Sequence, residues 1–199
     1  YYSTLYGLKG IPAVAEESMV ARDIMLTRMT GSRLHIAHIS TKGSLELVRE
    51  ARESGLNVSC EVTPHHLTLT DRELAEYDTD YKVNPPLRSR EHVEALIAGL
   101  RDGTIECLAS DHAPHEEEAK DCEFNRAAFG ISGLETAVPV IFTYLVASGK
   151  LDVSTLVKAW TVGPARILGL DRGVLTPGKV ADITIIDPNE SRQVDPQRF

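Results

Sequence analysis

A carboxylate and two imidazoles lie close together in the segment 110–115, which contains Asp111, His112 and His115. The segment follows the apolar run 105–109, which has the composition of a short buried strand. Its proline opposes continuation of that strand, so we expect the polar side chains at the strand's end. Asp and His bind metal ions and transfer protons. The pattern indicates chemistry, although an Asp that caps a turn beside two loop histidines is the alternative.

Similar polar residues end two other apolar runs. His38 lies near the end of the run 34–40, and the adjacent pair His65 and His66 follows the next run. Parallel strands bring their carboxyl ends to one edge, so we expect His38 and Asp111 to share a site, as at the mouth of an α/β barrel. Adjacent strand residues face opposite sides, so His65 and His66 are not both expected to face it. A His nitrogen and an Asp oxygen suit zinc at about 2.0–2.2 Å, but catalytic zinc usually has three protein ligands, so others must come from elsewhere.

The patterns that position these residues alternate between helix and strand. Helices are predicted at 13–29, 45–54 (with Ser44 as N-cap) and 89–101, and strands at 34–40, 57–63 and 105–109. Such alternation predicts parallel strands with crossover helices. Three parallel strands cannot close a barrel, and their open edges are rarely tolerated. Because the chain also lacks an initiator Met, we expect a fragment of a longer protein.

The second half of the chain begins with the polar segment 114–130, which we interpret as a surface loop beside the site and a candidate lid. Apolar helices are predicted at 133–148, 151–162 and 164–168. Two short strands are predicted within 173–187, around a turn at Pro177 and Gly178. The change to antiparallel β character places a domain boundary near Asp171.

The composition limits the partners. Of 199 residues, 42% are hydrophobic and 25% charged, as in ordinary globular proteins. The formal net charge of −8 argues against a nucleic-acid groove or an anionic membrane surface. No apolar run approaches the roughly 20 residues of a membrane span, and no signal peptide is predicted. The cysteines Cys60, Cys107 and Cys122 are too dispersed for a thiolate zinc site, and they agree with a reducing cytoplasm.

Five collinear motifs together resemble one family, the long bacterial-type dihydroorotases of the amidohydrolase superfamily. They lie at 36–43, 61–67, 84–88, 110–115 and 129–133. The segment 177–183 resembles the small β-sandwich of the same superfamily. The resemblance implies an α/β fold in which residues 1–170 are the C-terminal part of a metal-dependent (β/α)₈ TIM barrel. Residues 171–199 would be a piece of the β-sandwich.

The resemblance also implies site roles. His38 would bind the second of one or two zinc ions, and Asp111 would bind the first and act as general acid and base. Substrate contacts would fall on Asn84, His115 and the backbone of Phe129 and Gly130, with a mobile loop after His115.

The chain departs from the family pattern in two respects. The family's His-x-His pair, its bridging Asp, a further His and a substrate-binding Arg precede the region that corresponds to Tyr1. In addition, Ala128 stands where the family pattern has Pro before Phe129.

The implied activity is the reversible cyclisation of N-carbamoyl-L-aspartate to L-dihydroorotate in pyrimidine synthesis. The 199-residue chain alone is expected to be inactive, and a homo-oligomer or an aspartate transcarbamoylase partner is expected. One alternative is a hydantoinase or allantoinase, although the motif 84–88 and His115 favour an acidic substrate. The other is a non-catalytic partner subunit, which the presence of both His38 and Asp111 disfavours.

Overall fold

The computed structural model describes residues 1–195, so the last four residues of the predicted second domain lie outside the description. The described strands are β1 (Leu34–Ile36), β2 (Val58–Val62) and β3 (Cys107–Leu108). The described α-helices are α1 (Tyr2–Tyr6), α2 (Ala13–Thr30), α3 (Lys42–Glu53), α4 (Pro64–Thr68), α5 (Arg90–Asp102), α6 (Glu117–Lys120), α7 (Ala137–Ile141), α8 (Val153–Trp160) and α9 (Val162–Leu168). Two 3₁₀ turns, Asp71–Glu76 and Thr79–Tyr81, and a π-helical turn, Phe142–Val146, complete the order.

The three described strands form a parallel sheet in the order β1-β2-β3, as the alternating pattern predicts. Val58, Cys60 and Val62 of β2 are buried and belong to one core cluster with residues of α3 and α5. The intervening positions, Ser59 and Glu61, carry polar side chains on the opposite face. The two faces of the sheet therefore differ: one packs on the crossover helices and the other presents polar groups.

The predicted helix boundaries hold at α2 and α5, which end at Gly31 and Gly103 in the left-handed conformation. The predicted N-cap of α3 was wrong. Thr41, not Ser44, caps this helix, and its hydroxyl oxygen accepts a hydrogen bond from the Ser44 N–H at 3.1 Å. Ser44 lies inside the first turn, where its buried hydroxyl donates to Glu16 at 2.7 Å.

The predicted helix 133–148 was too long at its start. Helix α7 begins only at Ala137, and Leu134 is 60% exposed rather than part of a buried face. The N–H groups of Gly133 and Leu134 donate to Nδ1 of His112, at 3.1 and 3.2 Å, which holds these residues in a loop.

The two strands predicted within 173–187 are absent from the part of the chain that the structure describes. The turn at Pro177 and Gly178 does form, with the Lys179 N–H donating to the Thr176 carbonyl at 3.1 Å. The flanking residues are exposed and form no β-ladder with each other. An isolated two-stranded hairpin is marginally stable at best. The domain boundary near Asp171 stays a prediction.

A buried polar network joins the loop after β1 and the loop before α5 to helix α2. The Glu16 carboxylate accepts hydrogen bonds from the Ser40 N–H at 2.9 Å and from the hydroxyls of Ser40 and Ser44. Arg88 lies 3.5 Å from the same carboxylate and donates to the Ser40 hydroxyl at 2.9 Å and to the Ile11 carbonyl at 2.6 Å. Burial by itself would raise the pKa of Glu16. The hydrogen bonds from Ser40 and Ser44 have the larger effect and lower the pKa of this carboxyl.

Within residues 1–195, every helix is too short or too polar to cross a membrane.

We expect Glu16→Ala to lower the free energy of unfolding by about 3 kcal/mol, because it leaves the buried Arg88 without its counter-charge. Urea denaturation of the full-length gene product measures this. Glu46→Ala, at an exposed position of α3, is the matched control. Equal stability of the two variants would contradict a structural role for the network.

Candidate active site

The structure brings His38 and Asp111 together at the carboxyl edge of the sheet. His38 follows β1 and Asp111 follows β3, and His38 Nε2 lies 3.5 Å from Asp111 Oδ1. Both residues adopt left-handed backbone conformations, with φ of 54° and 47°, which among the described non-glycine residues only Tyr77 shares. Such conformations are uncommon outside glycine and concentrate at functional sites. The turn at His38 also explains why the predicted strand 34–40 ends at Ile36.

Glu61 lies directly behind His38. Its Oε1 is 2.8 Å from His38 Nδ1, a contact close in distance but outside hydrogen-bond alignment, and its Oε2 is 3.1 Å from His35 Nε2. Burial by itself would raise the pKa of Glu61. The contacts of Glu61 with His35 and His38 have the larger effect and hold that pKa at about 2. The Glu61 carboxylate in turn raises the pKa of His38. With Nδ1 against Glu61, His38 presents Nε2 to Asp111, the arrangement typical of a metal-ligating histidine.

Glu61 is a candidate site residue that the sequence analysis did not identify. Along the sequence it is one of two polar residues that alternate with Val58, Cys60 and Val62. The available signal was an acidic residue in an otherwise apolar strand beside a histidine-bearing strand. Glu61 pairs in register with Cys107 of β3, and the Ile39 N–H donates to its carbonyl at 3.0 Å.

His65 is the third side chain at this edge. It lies in α4, and its Nε2 is 3.9 Å from Asp111 Oδ2. The His65 side chain is 6% exposed, and Nε2 has no hydrogen-bond partner among the described residues. Burial lowers the pKa of His65 to about 2, so the ring is neutral. A buried polar atom without a partner is costly and uncommon, which marks this edge as a place for a further group.

His66 has a different task from its neighbour. Its Nε2 lies 2.9 Å from the Pro85 carbonyl, which can only accept, so Nε2 carries the hydrogen. Nδ1 then accepts from the Thr63 hydroxyl at 2.8 Å. The reasoning that adjacent histidines face opposite sides assumed a strand, which was wrong, because both lie in the short helix α4. His66 anchors the loop that carries Asn84, whose peptide bond to Pro85 is cis.

Hydrogen bonds link His115 to the loop at Phe129 and Gly130, and link that loop to the segment leading to Asn84. His115 Nε2 lies 2.8 Å from the Phe129 carbonyl, so Nε2 is the donor and Nδ1 is left for another partner. The Gly130 N–H donates to the Lys82 carbonyl at 2.9 Å, which joins this loop to the segment leading to Asn84. Asn84 itself is exposed. The structure thus joins His115, Phe129 and Gly130 directly, and Asn84 through its own chain segment.

Only glycine fits at position 130. Gly130 has φ of 154°, and a Cβ there would lie 2.4 Å from the Ala113 carbonyl oxygen and 2.8 Å from His115 Nε2. The backbone of the loop can therefore approach the segment 110–115 closely only because no side chain intervenes.

Arg88 does not serve an external anion. It is 8% exposed, and its donors are directed to Glu16, Ser40 and Ile11. Within the motif 84–88, Asn84 is therefore the polar side chain that is left to contact an acidic substrate.

The donor set fits a zinc ion in its chemistry. His38 offers an imidazole nitrogen oriented by Glu61, and Asp111 offers a carboxylate. Within residues 1–195 no three or more His, Cys, Asp or Glu side chains form a complete metal site. His38 and Asp111 could therefore hold a metal only together with further ligands.

Two cavities border the site. The larger, about 910 Å³, is lined in part by Lys82, Pro86 and Phe129. The smaller, about 460 Å³, is lined in part by His65 and Ser110. Neither is lined by the two predicted metal ligands, so the cavities flank the His38–Asp111 pair rather than enclose it.

Comparison with known proteins gives the class. Residues 10–198 match the model of the amidohydrolase family, and the chain belongs to that family. The fold resembles that of L-hydantoinase from Arthrobacter aurescens, with a TM-score of 0.89 and 33% identity over 94% of this chain and 43% of that one. A dihydropyrimidinase from Brevibacillus agri NCHU1002 gives a TM-score of 0.80 and 27% identity over 85% of this chain and 39% of that one. The predicted fold class, part of an α/β barrel, is confirmed.

Curated relatives are more similar in sequence. The chain is 59% identical over 199 residues to a dihydroorotase from Pelotomaculum thermopropionicum, covering 100% of this chain and 47% of that protein. It is 56% identical to a dihydroorotase from Thermoanaerobacter sp. over 99% of this chain and 46% of that protein. The chain thus spans about half the length of the curated relatives it matches. The predicted resemblance to the C-terminal half of a long dihydroorotase is confirmed.

We expect Glu61→Gln to weaken zinc binding by about 10- to 100-fold, because it removes the charge that orients and polarises His38. Competition with a chromophoric chelator on the full-length gene product measures the affinity. Glu50→Gln, at an exposed position of α3, controls for the loss of one negative charge. If both variants bind zinc as the unchanged protein does, Glu61 does not support a metal ligand.

Proposed function

We propose that this chain is the C-terminal part of a zinc-dependent dihydroorotase, which interconverts N-carbamoyl-L-aspartate and L-dihydroorotate. The observation that carries the proposal is the 3.5 Å approach of His38 Nε2 to Asp111 Oδ1 at adjoining strand ends. The relatives at 59% and 56% identity support this particular cyclic amide as substrate.

His38 and Asp111 are the residues of this chain that would hold zinc, at the second and first metal positions. A bound zinc ion supplies Lewis acidity, which polarises a carbonyl and lowers the pKa of water. Glu61 keeps the His38 ring oriented, and the neutral His65 adds no positive charge beside the carboxylate. The 199-residue chain alone should be inactive, because catalytic zinc usually needs three protein ligands.

Asp111 is the proposed general acid and base. In the hydrolytic direction water adds to the ring amide carbonyl, and the Asp111 carboxylate takes the proton that water loses. The carbon–nitrogen bond then breaks, and Asp111 delivers that proton to the departing nitrogen. In the cyclising direction the same carboxylate takes the proton from nitrogen, and the steps reverse.

The substrate carboxylate would be held by Asn84 and His115. His115 donates Nε2–H to the Phe129 carbonyl, so Nδ1 is the atom that would face the substrate carboxylate, and it can donate a hydrogen bond there only in the imidazolium form. The backbone at Phe129 and Gly130 would close on the ring, where the absence of a side chain at position 130 permits close approach. These contacts contribute position and orientation rather than proton transfer.

The main alternative is a hydantoinase-type cyclic amidase. It is supported by the similarity to the L-hydantoinase structure, which is 33% identical to this chain. The dihydroorotase relative is more similar in sequence, at 59% identity. A non-catalytic partner subunit is less favoured, because His38, Glu61 and Asp111 form a coherent arrangement. A homo-oligomer, an aspartate transcarbamoylase partner and a cytoplasmic location stay predictions.

A substrate panel tests the proposal. The full-length gene product should hydrolyse L-dihydroorotate at least about 100-fold more efficiently than hydantoin or allantoin, because a site with groups placed for a carboxylate leaves them unpaired with substrates that lack one. Preference for hydantoin or allantoin would favour the alternative amidase. Zinc content near zero, with no turnover of any substrate, would favour the non-catalytic partner.

Two variants separate chemistry from binding. Asp111→Ala should lower kcat by about 10³-fold or more, because it removes both proton transfers. His115→Ala should instead raise KM by about tenfold with a smaller change in kcat, because it removes a positioning contact. Steady-state kinetics of the full-length gene product measures both.

Asp171→Ala, at an exposed carboxylate remote in sequence from the site, is the matched control and should leave both constants unchanged. Comparable turnover by Asp111→Ala at saturating dihydroorotate would contradict the assignment of the proton carrier.

A further inference from the structure

Two lysines hold the loop that carries the proposed substrate-binding backbone. The loop lysines, Lys82 and Lys120, direct their ammonium groups to backbone carbonyls between residues 79 and 130. Within the described residues neither forms an ion pair, so these carbonyls are their main partners. Lys82 is buried and Lys120 is half-buried, and each ammonium group has backbone carbonyls rather than a carboxylate as its hydrogen-bond partners. Burial lowers the pKa of both lysines.

Lys120 has one carbonyl for each of its three donors. Its Nζ lies 2.6 Å from the Gly130 oxygen, 3.1 Å from the Ala128 oxygen and 3.0 Å from the Thr79 oxygen. The Thr79 hydroxyl returns a bond to the Lys120 carbonyl at 2.7 Å. Lys120 therefore ties both sides of Phe129 to the 3₁₀ turn that precedes Lys82.

Lys82 holds the preceding part of the loop. Its Nζ donates to the Ala127 carbonyl at 2.6 Å and to the Asn125 carbonyl at 3.1 Å, and lies 4.6 Å from the centre of the Phe129 ring. Lys82 also accepts the Gly130 N–H on its own carbonyl. This residue is 7% exposed and lies two positions before Asn84.

Together these contacts fix every peptide plane around Phe129. The carbonyls of residues 127–130 each accept from a side chain: Lys82, Lys120, His115 and Lys120 in turn. A peptide unit is planar, so a fixed carbonyl fixes the N–H of the next residue on the opposite side. The bond from Lys120 to Ala128 therefore sets the direction of the Phe129 N–H.

We propose that Lys120 is a positioning residue, which aims the Phe129 N–H at the substrate ring and keeps the loop in its substrate-receiving form. The identity of the ring rests on the proposed function. The tethering of the loop by Lys120 does not depend on that function. Lys82 supports the same geometry from the other side. The segment 114–130, predicted from sequence as a lid, is then a tethered wall whose opening requires the Lys120 bonds to break.

Lys120→Met in the full-length gene product tests the role. It should raise KM for dihydroorotate by about tenfold, the equivalent of one charge-assisted hydrogen bond, and change kcat by less than about threefold. Hydrogen–deuterium exchange of the backbone over 121–132 should become at least about tenfold faster, because the tethered loop opens more often. Lys158→Met, on the exposed side of α8, should change neither.

Restoring the ammonium group separates positioning from folding. Lys120→Cys in a Cys122→Ser background, alkylated with 2-bromoethylamine, recreates a lysine-like side chain through a thioether. Burial raises the pKa of Cys60 and Cys107 to about 12, so these thiols resist alkylation. The alkylated protein should recover most of the KM and the slow exchange, whereas Cys122→Ser alone should not respond to the reagent.

The outcomes are distinguishable from failure of the proposed function. If the unchanged protein does not process dihydroorotate, the proposed function is wrong, and the exchange experiment still tests the tether. Unaltered exchange in Lys120→Met overturns the tether. Faster exchange with unchanged KM overturns the positioning role, and a loss of kcat alone would do so as well.

Discussion

The convergence of parallel strand ends is the constraint on which the site depends. β1 and β3 are not neighbours, yet both pair with β2, so the residues that follow them meet across the end of the middle strand. The chain turns into the left-handed region at His38 and again at Asp111, two and three residues after the strands end at Ile36 and Leu108, and these are the two proposed metal ligands. β2 contributes Glu61, which lies behind His38, and helix α4, which follows β2, places His65 beside Asp111.

The loops around this edge are held by buried polar groups rather than by apolar packing alone. Glu16 and Arg88 join the loop after β1 to the loop before α5. His66 holds the Pro85 carbonyl, and the loop lysines hold the backbone around Phe129. A buried polar group is stabilising only when its partners are in place, so each of these contacts specifies one loop conformation. A rigid frame of this kind is what a site that positions a small cyclic substrate needs.

Much of the architecture could be predicted from sequence because local signals and periodicity agreed. The alternation of helix and strand predicted the parallel sheet, and Gly31 and Gly103 marked two helix ends. Prediction failed where a side chain took a partner distant in sequence. Ser44 was predicted as an N-cap, but its hydroxyl donates a hydrogen bond to Glu16 instead. The start of the helix predicted at 133 is held in a loop by His112.

The site could be predicted only in part for the same reason. His38 and Asp111 were found from residue type and strand-end position, and the structure places them 3.5 Å apart. Glu61 was missed, and His65 was recognised only as one of two adjacent histidines at a strand end, because their contacts with His38 and Asp111 cross between elements and no linear pattern reveals them. The motif 84–88 was expected to favour an acidic substrate, but Arg88, the charged residue of that motif, is buried against Glu16.

The proposed function requires that separate strands present His38 and Asp111 to one metal centre. The most direct measurement is X-ray diffraction from crystals of the full-length gene product at the zinc absorption edge. We expect anomalous density within about 2.0–2.2 Å of His38 Nε2 and of an Asp111 carboxylate oxygen, from one ion or from two adjacent ions. Zinc bound elsewhere, with both side chains free of it, would overturn the proposed metal site.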